Sequence, residues 1–170
     1  MSKIISSIDV LFDALKFDTQ HPTIVSIDGN MGVGKSTLAR EIADGLGFDI
    51  FDLDCYLSEK VTAENGYVGT ICFNNLLRDV EESLFSMRSI IVEGVCVLNV
   101  LERIGINPSV KIYVDEIDFA ADSNFVRQRS STVILEDIPN GAYLSCEIQR
   151  YHKSMTPYKI ADIVFERYNK

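Results

Sequence analysis

The sequence predicts an α/β protein with a doubly wound parallel sheet, and three observations support that fold class. Short apolar or β-branched runs alternate along the chain with segments whose apolar residues recur at helical spacing. A glycine-rich stretch, Gly29–Ser36, separates the first such run from the helical segment that follows it. The 170 residues, of which 46% are hydrophobic, are enough for one domain with a substantial core. We therefore expect a single three-layer domain over residues 1–170, with helices on both faces of the sheet.

The N-terminal half is expected to begin with a helix and continue as a βαβ unit. Apolar side chains recur at amphipathic spacing within residues 3–16, so residues 1–20 are predicted to contribute a helix that packs on the domain. The first strand is predicted at Thr23–Ile27 and the second at Phe48–Leu53. A helix lies between them, so the two strands should be parallel and their crossover right-handed.

Three further strands are expected downstream. They are Ser89–Val92, Lys111–Val114 and Ala161–Phe165. Helices are predicted over Phe73–Met87, Val95–Leu101, residues 119–130 and Gly141–Ser154. Residues 58–72 are polar and irregular, which indicates a loop or lid over an acceptor site. In the last helix, Tyr151, His152 and Lys153 are predicted to lie on the surface.

Composition argues against several classes of partner. The net charge of −9 argues against nucleic acid or an anionic membrane as the main partner. The four cysteines form no C-x-x-C pair, so they predict neither a metal nor a redox site. Free thiols without a signal peptide indicate a reducing, cytoplasmic location, and no apolar run approaches membrane-spanning length. The sequence leaves the oligomeric state open, including a homo-oligomer.

The glycine-rich stretch matches the phosphate-binding pattern G-x-x-x-x-G-K-[ST] without a mismatch. Glycines let successive backbone N–H groups turn toward one anion, and the helix that follows points its positive end at the same place. Lys35 is expected to reach the β- and γ-phosphates, and the Ser36 hydroxyl to ligate Mg²⁺. The predicted nucleotide-binding residues are Gly29, Asn30, Met31, Gly32, Val33, Gly34, Lys35, Ser36 and Thr37.

Acidic residues follow two of the predicted strands, at the edge where open parallel sheets bind ligands. Glu93 is expected to orient Mg²⁺ or its water, and the alternative is a carboxylate that interacts with the dipole of the next helix. Asp54 is a candidate to accept a proton from an acceptor hydroxyl or to orient that hydroxyl. Asp52 is a rival for this role, and the position of Asp54 fits a turn-capping carboxylate equally well.

Two arginines, Arg127 and Arg129, are candidates to neutralise charge on a transferred phosphoryl group, although their spacing alone favours a solvated helix face. Two tyrosines, Tyr56 and Tyr67, could contact an acceptor or could be packing residues. The cations between the second and third strands are Lys60, Arg78 and Arg88. Because a phosphorylated acceptor needs several arginines facing it, this shortage favours a neutral hydroxyl acceptor.

Together these residues resemble the uridine kinase family of P-loop kinases, which are relatives of phosphoribulokinase. The resemblance runs from about Thr23 to Phe165 and begins with the glycine loop. Its other parts are Asp54-Cys55-Tyr56, Ile90-Ile91-Val92-Glu93-Gly94, Lys111-Ile112-Tyr113-Val114-Asp115 and Pro157-Tyr158-Lys159-Ile160-Ala161-Asp162-Ile163-Val164.

This resemblance implies a P-loop NTPase fold whose five parallel strands lie in the order 2-3-1-4-5. It also implies ATP- and Mg²⁺-dependent transfer of the γ-phosphate to the 5′-hydroxyl of a nucleoside, such as uridine or cytidine, with Asp54 as the base. One alternative is a kinase for another small alcohol, such as a sugar or a vitamin. Another is a non-catalytic regulatory protein that binds a nucleotide, although no N-K-x-D segment for reading guanine is present.

Overall fold

The computed structural model of the chain describes residues 2–15, 21–118, 128–129 and 143–168. The strands among these residues form one sheet. Its strands are Lys3–Ile5 (β1), Ile24–Gly29 (β2), Asp49–Asp52 (β3), Ile90–Glu93 (β4), Val110–Asp118 (β5), Gln128–Arg129 (β6) and Ile163–Tyr168 (β7). The order across the sheet is β1-β7-β5-β2-β4-β3, and all of these neighbours are parallel, whereas β6 pairs with the end of β5 in the antiparallel sense.

Helices cover both faces of this sheet. They are Ile8–Leu15 (α1), Lys35–Leu46 (α2), Gly66–Thr70 (α3), Phe73–Phe85 (α4), Val97–Arg103 (α5), Tyr143–Met155 (α6) and Pro157–Ile160 (α7). One apolar cluster packs under α1 and α2, and a second packs under α3 to α6. On β4, Ile90 and Val92 belong to the second cluster and Ile91 to the first, as the alternation of side chains along a strand requires.

The predicted fold class is confirmed. The five predicted strands correspond to β2, β3, β4, β5 and β7. When these five are numbered 1 to 5 in chain order, their order across the sheet is 2-3-1-4-5, as expected. The apolar runs could be identified because strands of a parallel sheet are buried on both faces. The sheet nevertheless has two more strands than predicted.

The first additional strand, β1, lies where a helix was predicted. The helix begins only at Ile8, because Lys3–Ile5 pairs with β7 in the register Lys3 to Ile163 and Ile5 to Phe165. Ile5 is buried in the core, whereas Lys3 and Ile4 are exposed, so one side chain of this edge strand reaches the core.

The second additional strand, β6, corrects the helix predicted over residues 119–130 at Gln128–Arg129 only, because residues 119–127 and 130 lie outside the described part of the chain. Arg129 lies on this two-residue strand, opposite Ile117. The strand predicted to end near Val114 continues to Asp118, because β7 and β6 together offer partners to its last residues. Arg127 lies outside the residues that the structure describes.

Candidate functional site

The glycine-rich loop joins β2 to α2 at the carboxyl-terminal edge of the sheet. Gly29 has a φ of 148°, and a Cβ atom there would lie 2.6 Å from the backbone oxygen of Val114, so only glycine fits. Gly34, with a φ of 87°, precedes α2 and has no side chain to cap it. The N–H groups of the first helical turn therefore remain available to an anion, as a phosphate-binding loop requires.

Lys35 is folded into this loop. The side chain is only 8% exposed, and its Nζ donates hydrogen bonds to the backbone oxygens of Gly29, at 3.2 Å, and Asn30, at 2.7 Å. Burial lowers the pKa of Lys35, while the negative charges of Asp28 and Glu93 oppose that effect. The structure thus places the ammonium group inside the cradle that the sequence pattern predicts.

Glu93 lies at the end of β4, where it is 2% exposed and hydrogen-bonded to the side chain of Ser36. Burial raises the pKa of Glu93, and the bond to Ser36 opposes this. The next helix begins only at Val97, with Cys96 as its N-cap, so Glu93 is outside the first turn of that helix. The two oxygen-bearing side chains that were predicted to handle Mg²⁺ are therefore in contact.

This pair of oxygen donors suits Mg²⁺. Within the described part of the chain, no group of three or more His, Cys, Asp or Glu side chains is arranged to hold a metal ion. Mg²⁺ in nucleotide sites is bound through one or two protein ligands, with water and phosphate oxygens completing its coordination. A hydroxyl and a carboxylate at the end of the phosphate loop match that requirement.

Asp52 and Asp54 have different environments, because β3 ends at Asp52 and Leu53–Tyr56 forms a 3₁₀ turn. The Asp52 carboxylate accepts a hydrogen bond of 2.9 Å from the backbone N–H of Asp54, so it caps that turn. Asp54 is exposed, and its Oδ1 accepts a hydrogen bond of 2.7 Å from the hydroxyl of Tyr67. The capping role that seemed open to Asp54 belongs to Asp52.

The sequence left Tyr56 and Tyr67 open as acceptor contacts or packing residues, and both are hydrogen-bonded to carboxylates. Tyr67 is buried on α3, within the segment predicted to be an irregular loop, and burial together with the charge of Asp54 raises its pKa. Tyr56 donates a hydrogen bond of 3.0 Å to Asp79 on α4. The burial of Tyr67 stabilises α3, because the side chain belongs to the apolar cluster on that face of the sheet.

Asp28 and Tyr151 form a buried pair that the sequence did not reveal. The hydroxyl of Tyr151 donates to one oxygen of Asp28, and the backbone N–H of Gly29 donates to the other at 2.7 Å. Burial raises the pKa of Asp28 to about 6, although both hydrogen bonds and Lys35 act in the opposite direction.

The prediction that Tyr151 is a surface residue is wrong, since it is 2% exposed. Apolar residues recur at helical spacing with Tyr151, and this pattern could have predicted that its side chain is buried. The residues that share that period are Leu144, Ile148, Tyr151 and Met155.

A further cation, Arg167 at the end of β7, lies against the other side of the phosphate loop. A Cβ atom on Gly34 would lie 3.1 Å from its guanidinium, which also bonds to Glu41 at 2.9 Å. A cavity of about 490 Å³ opens here, beside the loop. Its lining includes Gly32, Val33, Gly34, Glu41, Phe165 and Arg167.

The sequence comparisons concern the first half of the site. The family model described as shikimate kinase matches residues 31–86, which contain most of the phosphate loop, Asp54 and α4. A shikimate kinase from Actinobacillus succinogenes is 38% identical over 58 residues, which are 34% of this chain and 33% of that protein. The similarity thus spans about a third of the length of the curated relative.

The structural comparison concerns the whole domain. The structure of a possible uridine kinase from Bacillus stearothermophilus resembles this one with a TM-score of 0.59, at 17% sequence identity, over 93% of this chain and 96% of that chain. This likeness confirms the P-loop NTPase fold. The comparisons support the P-loop kinases as a group, and they do not single out the uridine kinases within it.

Proposed function

We propose that the protein is a P-loop small-molecule kinase that transfers the γ-phosphate of ATP to a hydroxyl group of a neutral acceptor, with a nucleoside as the preferred candidate. The observation that carries the proposal is the position of Asp54. This carboxylate is exposed, held by Tyr67, and close enough for its charge to act on Lys35 in the phosphate loop. An acceptor hydroxyl that is hydrogen-bonded to Asp54 would therefore lie beside the bound phosphates.

The nucleotide half of the proposed site is the loop itself. Its N–H groups would bind the phosphate oxygens, and Lys35 would exchange its carbonyl partners for the β- and γ-phosphates. Ser36 and Glu93 would hold Mg²⁺, which when bound draws negative charge away from the phosphates. The cavity beside Arg167 would take the nucleoside part of ATP. Arg127 and Arg129 remain predicted partners of the transferred phosphoryl group.

The acceptor half would use Asp54 as the general base. Its Oδ1 is occupied by the hydroxyl of Tyr67, which leaves Oδ2 for the acceptor hydroxyl. As the acceptor oxygen bonds to the γ-phosphorus, the bond from that phosphorus to the β-bridging oxygen breaks and ADP leaves. The proton of the acceptor hydroxyl passes to Asp54.

Charge on the acceptor side supports a neutral acceptor. Arg78 is bound to its neighbour Asp79 at 2.8 Å, and Arg88 to Asp49 at 3.1 Å. Both arginines that the sequence offers in this segment are therefore paired with carboxylates. An anionic group near Asp54 would meet further negative charge rather than these cations.

A hydroxy acid such as shikimate is the second candidate acceptor. The match to the shikimate kinase family spans residues 31–86, and these include Asp54 and the segment that carries Tyr67. The same stretch would thus form both the proton acceptor and part of the acceptor pocket. A nucleotide-binding regulatory protein without phosphotransfer is the third alternative.

The deciding experiment measures ADP formation from Mg²⁺-ATP with a panel of nucleosides, neutral sugars and alcohols, and shikimate. Lys35→Ala is the blank, and Asp54→Asn should lower turnover by roughly 10²- to 10⁴-fold while ATP still binds. Strong stimulation by a neutral acceptor supports the proposal, and stimulation by shikimate alone supports the second candidate. Bound ATP without stimulation by any acceptor would leave the regulatory alternative.

The proposed location is the cytoplasm. All four cysteines are free thiols, which suits a reducing compartment. In the part of the chain that the structure describes, the helices are too short or too polar to cross a membrane. A homo-oligomer stays an open prediction.

A further inference from the structure

Two side chains on one face of α6 reach the two halves of the proposed site. Glu147 and Tyr151 are four residues apart, so they project from the same side of the helix. Glu147 contacts α3 on the acceptor side, whereas Tyr151 contacts Asp28 at the start of the phosphate loop.

Glu147 binds the first turn of α3. Its two carboxylate oxygens accept hydrogen bonds from the backbone N–H groups of Tyr67 and, at 3.0 Å, of Val68. The N-cap residue of α3, Asn65, does not cap it with its side chain. Gly66 has a φ of 66°, and a Cβ atom there would lie 2.9 Å from a Glu147 oxygen, so glycine is what lets the carboxylate approach. A distant helix thus supplies the cap that α3 lacks.

The contact continues from α3 to the proposed base. Tyr67, whose own N–H is bound by Glu147, donates its hydroxyl to Asp54 at 2.7 Å. Tyr67 is 2% exposed, so packing gives its ring little freedom to move independently of α3. Displacement of α3 would therefore displace the hydroxyl that orients the Asp54 carboxylate.

The second contact begins at Tyr151. Its hydroxyl donates to Asp28 and accepts from the backbone N–H of Leu98 at the start of α5. Asp28 in turn accepts from the N–H of Gly29, the first residue of the phosphate loop. Tyr151 thereby connects α6 to the point at which β2 turns into that loop.

We propose that α6 is a positioning helix, in which Glu147 orients Asp54 through Tyr67 and Tyr151 orients the phosphate loop through Asp28. The acceptor half of this inference rests on the proposed kinase function. The nucleotide half requires only that the loop binds ATP. Neither residue touches the reacting atoms, so both act through the groups that they hold.

The test compares Glu147→Gln and Tyr151→Phe, with Lys153→Gln on the exposed part of α6 as the matched control. The ATP dissociation constant is measured by titration without acceptor, and the kinetic constants are measured with the stimulating acceptor. We expect Glu147→Gln to lower kcat/KM for the acceptor by about tenfold or more, with ATP affinity unchanged within about twofold. Tyr151→Phe should instead weaken ATP binding, and Lys153→Gln should change neither quantity.

A double-mutant cycle then asks whether Glu147 acts through Tyr67. In a Tyr67→Phe background, Glu147→Gln should lower acceptor kcat/KM by less than about twofold, because the hydroxyl it positions is gone. If the loss of acceptor kcat/KM in the double variant equals the product of the two single-variant losses, this half of the proposal is overturned. Equal effects of Glu147→Gln and Tyr151→Phe on both ATP affinity and acceptor kinetics would indicate general loosening and would overturn the whole.

Failure of the kinase function is distinguishable from failure of the positioning role. If no acceptor stimulates ADP formation by the wild-type protein, the proposed function is refuted. Hydrogen exchange at the amides of Tyr67 and Val68 then decides the role of Glu147. Faster exchange at these amides in Glu147→Gln than in Lys153→Gln would support the cap. Unchanged exchange would refute it.

Discussion

Replacing Asp28 by Asn should remove a cost in stability that grows as pH rises. The Asp28 carboxyl is completely buried, and burial raises its pKa from the ordinary 3.8 to about 6. A carboxyl with a raised pKa binds its proton more tightly in the folded than in the unfolded state, so the free energy of unfolding falls as pH rises through the window from about 4 to about 6. The difference between the two pKa values corresponds to about 3 kcal/mol once the group is fully ionised. Asn carries no charge, so the variant avoids this pH-dependent cost, although its one oxygen replaces two that accept from the Gly29 N–H and the Tyr151 hydroxyl.

The assay is urea unfolding of wild type and Asp28→Asn at matched ionic strength between pH 4 and pH 8. The stability of the variant relative to wild type should increase by about 2 kcal/mol between pH 4 and pH 7 and then become constant. The difference between the two proteins removes the contributions of the other carboxyl groups. A difference that does not change with pH, or one that favours wild type increasingly as pH rises, would refute the reasoning.

Three further substitutions separate the roles assigned to individual residues. Glu93→Gln should raise the Mg²⁺ concentration needed for half-maximal transfer by roughly tenfold or more, measured by metal titration, because the carboxylate beside Ser36 is lost. Gly29→Ala should destabilise the fold by at least about 1–3 kcal/mol in urea, because its Cβ would overlap the oxygen of Val114. Asp52→Asn should retain transfer within about threefold, since Asn can still cap the 3₁₀ turn, and a loss as large as that expected for Asp54→Asn would instead make Asp52 the base.

The parts of the fold that the sequence predicted correctly are those with continuous local signals. The runs that form β2 and β4 are mostly apolar and buried on both faces, and the phosphate loop fixes the connection between β2 and α2. Lys3–Ile5 gave no such signal. Three residues with one buried side chain are too few to show a period, and their strand exists only because β7 offers a free edge.

The predicted site could be assembled only where the motif itself specifies contacts. The pattern that contains Lys35 and Ser36 dictates where both side chains go, and Glu93 follows from its place at the end of a neighbouring strand. The contacts of Glu147 and Tyr151 join residues about 80 and about 120 positions apart. Composition and spacing carry no information about such pairs, because many polar side chains on a helix have the same local pattern whether or not they find a buried partner.

The arrangement of charge connects the proposed use of Mg²⁺ with the proposed neutral acceptor. Lys35 is one buried cation that faces the carboxylates of Asp28, Glu93 and Asp54. A triphosphate brings more negative charge than one lysine offsets, so the proposed Mg²⁺ beside Glu93 is needed to balance it. The same excess of carboxylates repels an anionic acceptor. Efficient use of shikimate would therefore require a cation that is not paired with a carboxylate, and Lys60 and Arg127 are the first to replace by Ala in that event.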